Sequence, residues 1–412
     1  MRITFVIPYF YPAMQYGGTP RVAFEMARSM VKRGHQVNVL TTDSGGDGRI
    51  PQSAIDDIHQ NGVDGIQAYY YRNVSDYLAY KQRLFLPLGF LLHVKERLRD
   101  SEIVHIHDLR SFLSVAAHSA LRSLHKPYVL SPHGGLRHLG KRPAKALFDF
   151  LWGKRILHDA AGLCAISPVE EKDAIDFGIE PRRIYRFPSA INTAAYQELP
   201  PRGEFASRWG LNGRQIVLFL GRLHWVKGVD ILIESIALLK DLPNVHLVIA
   251  GPDDGAEPKL RSLVRKRGLD GRVTFTGFLD HPEKAQALVD SDLVVVSSRS
   301  EAFALALLEG LACGTPVILS SACELEDWMP KNSAWSTFRK EDPVDLANQL
   351  RTALTGTRDE KGLAAVRKLV MTEFSSEALT TRAERLYQSL LLTPSSVEKR
   401  SNPLEHRNQA RG

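Results

Sequence analysis

Cysteine is scarce: Cys164, Cys313 and Cys323 are the only three in 412 residues, and none forms a Cys-x-x-Cys pair. So odd and sparse a set excludes a disulfide framework and points to a reducing compartment. Long apolar runs are missing too. None reaches the roughly 18 residues that a membrane span needs. The opening Met1-Arg-Ile-Thr-Phe-Val-Ile-Pro8 is too short for the apolar core of a leader and reads as a first strand. No Gly-x-Gly-x-x-Gly follows that strand, which disfavours a nicotinamide enzyme, and no Gly-x4-Gly-Lys-Ser/Thr occurs anywhere. No motif of nucleic-acid recognition is present either. The net charge of +7 is therefore read as favouring nucleotide phosphates or an anionic membrane face, with no nucleic acid as partner.

What is present is an ordinary globular composition, 44% hydrophobic and 24% charged, in a chain long enough for two domains. Short apolar runs alternate with helical patterns. In the first half the strand-like runs are Ile3–Ile7, Val37–Thr41, Ile66–Tyr71, Ile103–Ile106, Tyr128–Leu130 and Leu163–Ile166. Helical patterns occupy 21–33, 77–98, 111–123, 143–158 and 168–177, and the polar stretch 44–65 reads as a long loop. After a segment rich in Pro, Gly and Arg the cycle restarts, with strands at Ile216–Leu220, Val245–Ala250, Val273–Thr276, Leu293–Val296 and Pro316–Leu319. This is the βα alternation of doubly wound sheets. The fold class is α/β, two Rossmann-like domains facing a cleft. Residues 1–190 form the first domain, 191–213 a linker, 214–374 the second domain and 375–392 a terminal helix. The polar tail 393–412 is expected to be disordered.

The stretch 293–318 organises the rest. Leu293–Val296 is a strand, Ser297–Glu301 a polar loop, and Phe303–Ala312 a helix apolar nearly all round. Gly314 and Pro316 stop it. Glu309 stands inside that apolar helix, where a carboxylate is expensive unless it has a partner. Glu301 lies eight residues earlier, at the carboxyl end of the strand, where open α/β sheets bind ligands. The bland alternative is a capping glutamate and a second one salt-bridged at the core edge. A second anion site lies in Gly221-Arg222-Leu-His-Trp-Val-Lys227-Gly228, where two cations stand between a strand and a helix start. Gly17-Gly18, after the first strand, lets a backbone approach a ligand closely or simply turns the chain. His133, in Ser131-Pro-His-Gly-Gly, closes another strand at its carboxyl end. His105 alternates with apolar residues and reads as a core histidine; His107 and Asp108 end the same strand and keep a lesser cleft role open.

Glu301-x7-Glu309 followed by Gly-Leu-Ala-Cys-Gly-Thr-Pro-Val, together with Gly-Arg-x5-Lys-Gly, resembles the signature of family 4 of the retaining glycosyltransferases, which have the GT-B fold. The resemblance covers nearly the whole chain. It implies a retaining enzyme that moves a sugar from a nucleotide-sugar donor to a glycan or lipid-linked glycan acceptor, in cell-surface polysaccharide biosynthesis. It implies catalytic roles for His133, Arg222, Lys227 and Glu301. It implies donor binding by Gly17, Gly18, Arg222, Lys227, Glu301, Ala302, Phe303, Ala304 and Glu309. In that reading Arg222 and Lys227 neutralise the diphosphate, Glu301 and His133 hold the sugar, and Glu309 holds the ribose. The terminal helix is expected to cross back to the first domain. Two motifs depart from the family: Pro188-Ser-Ala-Ile-Asn192 replaces Pro-Asn-Gly-(Val/Ile)-Asp, and Glu301-Ala-Phe-Ala304 replaces Glu-x-Phe-Gly. The second puts the identity of the donor in question.

No cofactor and no metal are expected. Asp290-Ser-Asp292 looks like a metal motif but precedes its strand, on the side away from the ligand end, and is read as structural. Residues 137–155 carry Arg137, Lys141, Arg142, Lys145, Lys154 and Arg155 against Asp149 alone, with Leu147, Phe148, Phe150, Leu151 and Trp152 interleaved. Such a stretch suits an anionic membrane surface, or else an ordinary helix with its apolar side in the core. The expected location is cytoplasmic, peripheral at the inner face of the membrane. Two other readings stay open: a GT-B epimerase or hydrolase of nucleotide sugars, and a non-catalytic GT-B subunit of a polysaccharide assembly.

Overall fold

The alternating apolar runs build two parallel sheets. The computed structural model describes residues 1–392 apart from 47, 138–141, 324–327 and 330–332, and apart from the side chains of 81 and 142. The chain divides into two units: Met1–Phe187 together with the chain from Thr380 onward, and Pro188–Leu379. The tail 393–412 and Lys141 lie outside the described residues.

The strands of the amino-terminal unit are β1 (Arg2–Val6), β2 (Gln36–Thr42), a ribbon β3 (Ser44–Gly46) and β4 (Gly48–Arg49), β5 (Gln67–Tyr71), β6 (Ile103–His107), β7 (Tyr128–Ser131), β8 (Gly162–Ala165) and β9 (Ile184–Arg186). Seven of them form one sheet in the order β5-β2-β1-β6-β7-β8-β9, parallel throughout. Every residue of β6, β7 and β8 is buried, as expected of strands covered on both faces. The order reverses at β1 and β6, so the carboxyl ends of those two strands flank the switch point where such sheets bind ligands.

The strands of the other unit are β10 (Gln215–Leu220), β11 (Val245–Ala250), β12 (Val273–Gly277), β13 (Leu293–Val296), β14 (Val317–Ser320) and β15 (Trp335–Phe338). They form a second parallel sheet, β12-β11-β10-β13-β14-β15. Its switch point lies between β10 and β13.

Several expectations need correction. The stretch 44–65 is not one loop: the β3–β4 ribbon and a helix Gln52–Asn61 occupy it. That helix buries only Ile58, so it lacks an apolar stripe to read. The pattern at 77–98 splits into Asp76–Gln82 and Phe90–Arg99. Pro87 lies between the two helices, and left-handed Arg83 (φ 55°) and Gly89 (φ 70°) end the first and start the second. The stretch 191–213, read as a linker, carries the short helices Thr193–Tyr196 and Glu204–Arg208 and belongs to the second unit. Asp290 ties it down by accepting from the amides of Gly203 (2.5 Å) and Ala206 (2.8 Å). Asp292 accepts from the Ile216 amide at 2.8 Å and from Arg202 at 2.9 Å.

The terminal helix, Ser376–Leu392, belongs to the amino-terminal unit from Thr380 onward. There Glu384 takes Arg33 and His35 at 2.6 Å each, and the buried Tyr387 hydroxyl lies 2.6 Å from Nδ1 of His105. The stretch after 141 runs as Arg142–Phe148, a π-helical turn Asp149–Gly153 and Lys154–Asp159. Asp149, Ile156 and Leu157 face inward, whereas Leu147, Phe150, Leu151 and Trp152 are exposed.

Candidate functional site

Two loops meet at the carboxyl ends of β10 and β13. The first leaves β10, turns through a 3-10 segment Trp225–Lys227 and enters the helix Val229–Leu238. Gly228 joins the two in a left-handed conformation (φ 63°), and a Cβ there would lie 2.1 Å from the Ser297 carbonyl. Only glycine allows that approach. The second loop, from Ser297 to Ala304, is fastened to the first at four points. Ser297 Oγ donates to the Lys227 carbonyl at 3.0 Å, and the Arg299 amide to the Val226 carbonyl at 2.7 Å. The Arg299 guanidinium reaches the Trp225 carbonyl at 2.7 Å and grips Asp230 with both nitrogens, at 2.8 and 2.7 Å.

This zipper brings Lys227 onto Glu301, where Nζ bonds Oε2. Ser298 Oγ donates to the same oxygen at 3.1 Å. Oε1 of Glu301 has no partner among the described residues. The helix Leu305–Ala312 follows, with Ala304 as N-cap and no side-chain cap on its first amides. Phe303 and Ala304 are buried, and the Phe303 ring lies 6.2 Å from that of Phe374. Their side chains build the core, so they offer a ligand only their backbone. Ala302 is partly exposed.

Glu309 sits one helical face further on, and its expected partner exists. Lys284 from the helix Glu283–Asp290 bonds its Oε1, and the buried Tyr196 hydroxyl donates to that oxygen at 3.1 Å. Oε2 carries no partner among the described residues. Arg222, at the end of β10, is paired through Nη1 with Asp254, which follows β11. The three ion pairs are partly buried, with side chains 12–22% exposed, so each charge is balanced where desolvation would otherwise be costly.

The remaining expected residues belong to the amino-terminal unit. Gly17 (φ 111°) caps the helix Gly18–Lys32, and Gly18 is its first residue. His133 stands in a left-handed conformation (φ 53°) directly after β7, and Asp108 does the same (φ 75°) after β6. Such backbone in residues with a Cβ persists only where the surroundings enforce it. Two groups tie down the loop that follows His133. Glu170, 2% exposed, accepts from the amides of Gly134 (2.7 Å) and Ile166 (3.0 Å). Arg110 holds Asp149 with two bonds, at 2.9 and 2.6 Å, and reaches the carbonyls of Gly135 and Leu136. His105 is fully buried between Tyr387 and Ser131, the latter at 2.7 Å. Burial lowers its pKa to about 3 and that of His133 to about 4, and holds His107 well below the ordinary value. All three imidazoles are therefore neutral at neutral pH. Among the described residues no group of three His, Cys, Asp or Glu is arranged to hold a metal ion.

Sequence reasoning missed the residues that act on the expected ones: Asp254, Lys284, Tyr196, Ser298, Arg299, Glu170 and Arg110. Gly251-Pro-Asp-Asp254 at a strand end was a legible signal for the first. Ser298 is local to Glu301, three residues away, and the others carried no signal because each finds its partner through the fold.

Residues 16–195 match the family described as Glycosyltransferase Family 4, and residues 202–365 match Glycosyl transferases group 1. The phosphatidylinositol N-acetylglucosaminyltransferase gpi3 subunit of Schizosaccharomyces pombe is 25% identical over 399 residues, which cover 93% of this chain and 80% of that protein. D-inositol 3-phosphate glycosyltransferase of Jonesia denitrificans is 27% identical over 249 residues, 57% of this chain and 58% of its own. The crystal structure of Anabaena HepE in complex with UDP and glucose matches with a TM-score of 0.75 at 18% identity, over 94% of this chain and 100% of that one. Sucrose-phosphate synthase from Thermosynechococcus elongatus matches with a TM-score of 0.73 at 20% identity, over 95% of this chain and 99% of that one. These likenesses show the fold, two Rossmann-like units of the GT-B type.

Proposed function

We propose, from the premise that this chain is a glycosyltransferase of the GT-B, family 4 type, that it moves a sugar from a nucleotide-sugar donor to a glycan or lipid-linked glycan with retention at the anomeric carbon. The carboxy-terminal unit binds the donor and the amino-terminal unit the acceptor. One observation supports this above the others. Glu301 and Glu309 are each fastened through a single carboxylate oxygen, and each keeps the second oxygen without a protein partner among the described residues. Neither of these second oxygens is among the buried atoms left without a partner, so each is open to a ligand hydroxyl. A glutamate that accepts ligand hydroxyls needs such an oxygen. The nucleotide complex of the structural relative HepE, which holds UDP, supports a nucleotide as the ligand.

In this mechanism Arg222 and Lys227 face the diphosphate. Cleavage of the sugar–phosphate bond places growing negative charge on the leaving group, and both cations stabilise it. The uncapped amides at the start of Leu305–Ala312 act in the same sense. Glu301 and His133 bind sugar hydroxyls, Glu309 the ribose hydroxyls, and Gly17-Gly18 gives close backbone approach. No carboxylate is placed as a nucleophile, and same-face attack by the acceptor hydroxyl accounts for retention. The reaction as proposed needs neither cofactor nor metal. Its setting is cell-surface polysaccharide synthesis, with the protein docked peripherally on an anionic membrane.

The two glutamates provide the test. A thermal-shift screen of nucleotide sugars first identifies the donor, since stabilisation rises with ligand concentration over Kd. Calorimetry then compares Glu301→Ala and Glu309→Ala. Glu309→Ala weakens the nucleoside diphosphate and the full donor alike. Glu301→Ala leaves diphosphate affinity nearly unchanged and lowers turnover. A hydrogen bond to a charged group contributes about 1.5–3 kcal/mol, roughly 10–150-fold, only to the ligand that makes it. Equal loss of diphosphate affinity in both variants overturns the assignment. Release of free sugar without transfer would make the enzyme a hydrolase.

A further inference from the structure

His107 is the last residue of β6 and 1% exposed. Its ring lies between two others. It stacks on His105, with centroids 4.2 Å apart and planes at 21°, and lies edge to edge with His133, with centroids 5.2 Å apart and planes at 9°. Below it, His105 is pinned by the Tyr387 and Ser131 hydroxyls at 2.6 and 2.7 Å. Above it, Nδ1 of His107 lies 2.9 Å from Nε2 of His133. The orientation of the His107 ring is thus set by its neighbours on both sides.

A hydrogen bond between two imidazole nitrogens needs one proton, and a neutral imidazole has only one to give. Burial keeps both rings neutral. Two arrangements remain. In one, His133 donates from Nε2, and His107 must carry its own proton on its far nitrogen. That nitrogen, Nε2 of His107, is buried and has no hydrogen-bond partner. Its proton would be an orphaned buried donor, a rare situation in folded proteins. The Phe5 ring, 5.0 Å away at 61°, offers only the weak acceptor of a π face. In the other arrangement His107 donates from Nδ1, and a bare lone pair is all that stays unsatisfied. His133 then accepts at Nε2 and carries its proton on Nδ1. That nitrogen has no partner among the described residues.

We infer that His107 is a positioning residue: its Nδ1–H, given to Nε2 of His133, fixes His133 as the Nδ1–H tautomer, which presents a hydrogen-bond donor to a bound ligand. This rests on the proposed contact between His133 and the donor sugar, and it deepens that contact. The ligand group that meets His133 is an oxygen with a free lone pair, a sugar hydroxyl or a carbonyl, and not an N–H donor such as an unsubstituted ammonium. A second-layer partner that fixes a histidine tautomer is a general way to define the ring's outer nitrogen.

The experiment reads the tautomer directly. The full chain, with its histidine side chains 15N-labelled, is examined at neutral pH by long-range 1H–15N correlation, and the His133 signals are assigned by their loss in His133→Gln. The expected pattern is protonated Nδ1 and bare Nε2 at His133. Protonated Nε2 at His133 overturns the inference. In His107→Phe, which keeps a ring but no donor, His133 is expected to become a mixture of tautomers. His107→Asn, whose amide nitrogen replaces Nδ1, is expected to restore the single form. An unchanged His133 tautomer in His107→Phe also overturns the inference. Turnover follows the same order, with kcat lowered in His107→Phe, partly recovered in His107→Asn, and affinity for the free nucleoside diphosphate unaltered in both. The two readings fail separately: full activity in His133→Gln removes the proposed sugar contact and leaves the proton placement to the spectra.

Discussion

Arg222 and Lys227 are cations already neutralised by neighbours, Asp254 and Glu301. In the proposed function a ligand diphosphate shares each cation with a carboxylate. The arrangement keeps partly buried charges paired in the free protein and holds the cations in place beforehand, so little reorganisation is left for the reaction. Arg222→Ala and Lys227→Ala are each expected to cut turnover on the order of 10²–10³-fold, as loss of a charge-stabilising contact costs about 2.7–4 kcal/mol in the transition state. Each also strands a carboxylate, so the controls are Arg222→Ala/Asp254→Ala and Lys227→Ala/Glu301→Gln. The defect in turnover persists in the controls while any loss of stability shrinks. Wild-type turnover in both single variants would sink the phosphate-site assignment. The buried imidazoles make a second residue-scale prediction. His105 and His107 have pKa values below their unfolded values because burial penalises the cation. The unfolded chain therefore binds protons first as pH falls. The stability they contribute is whole above about pH 6.5 and is lost below it, toward about 3 for His105. The slope is about 1.4 kcal/mol per pH unit for each ring. Urea midpoints at pH 7 and pH 5.5 should show a steeper fall for the wild type than for His105→Gln/His107→Gln. Equal slopes would mean that these rings take up protons in the folded protein.

At the scale of elements, the Lys227–Glu301 pair depends on how closely two loops approach, and Gly228 sets that distance. A methyl group at 228 would meet the Ser297 carbonyl at 2.1 Å in a left-handed backbone. Gly228→Ala is expected to lower the urea midpoint by an amount corresponding to on the order of 1–3 kcal/mol and to weaken diphosphate binding as Lys227 moves away. Retained stability and affinity would mean that the zipper is not what places Lys227. The strands around this junction were legible in the sequence, because Leu293–Val296 and Ile216–Leu220 are apolar on both faces and nothing but a covered strand suits them. The edges were not. β9 and β15 are short and mixed, with Ile184–Arg186 partly exposed throughout, and so carry neither alternation nor a continuous apolar run. The helix Gln52–Asn61 escaped for the same reason, since one buried residue makes no stripe. The site followed the same division. Glu301, Glu309, Arg222 and Lys227 announced themselves as charges at strand ends or in an apolar helix. Lys284 and Glu170 did not, because a charge on an ordinary helix becomes informative only once its partner, Glu309 or the Gly134 amide, is known to lie beside it.

The whole molecule carries +7, and the segment 142–159 concentrates both cations and unshielded apolar surface. Phe150 is 79% exposed, Leu147 59%, Leu151 48% and Trp152 45%, and Lys154 and Arg155 are exposed beside them. Within the π-helical turn Asp149 is buried against Arg110, and Phe150, Leu151 and Trp152 are exposed. Ile156 and Leu157 turn into the core while these rings face water, so the segment has both a core side and an exposed apolar side. No helix of the described residues is long and apolar enough to cross a membrane, so attachment through this segment would be interfacial, with aromatic rings at the headgroups and cations on anionic lipid. The same amino-terminal unit also exposes Tyr77, Leu84, Leu88, Leu91 and Leu92. Cosedimentation with vesicles tests this for the intact chain. Binding should require anionic lipid and fall as salt shortens the Debye length from about 10 Å at 0.1 M to about 3 Å at 1 M. Phe150→Ser/Trp152→Ser should release the protein from vesicles at any salt concentration and change its urea midpoint little, with Phe150 79% and Trp152 45% exposed in the free protein. Binding that ignores salt, lipid charge and this pair of substitutions would mean that the exposed rings serve some contact other than a membrane.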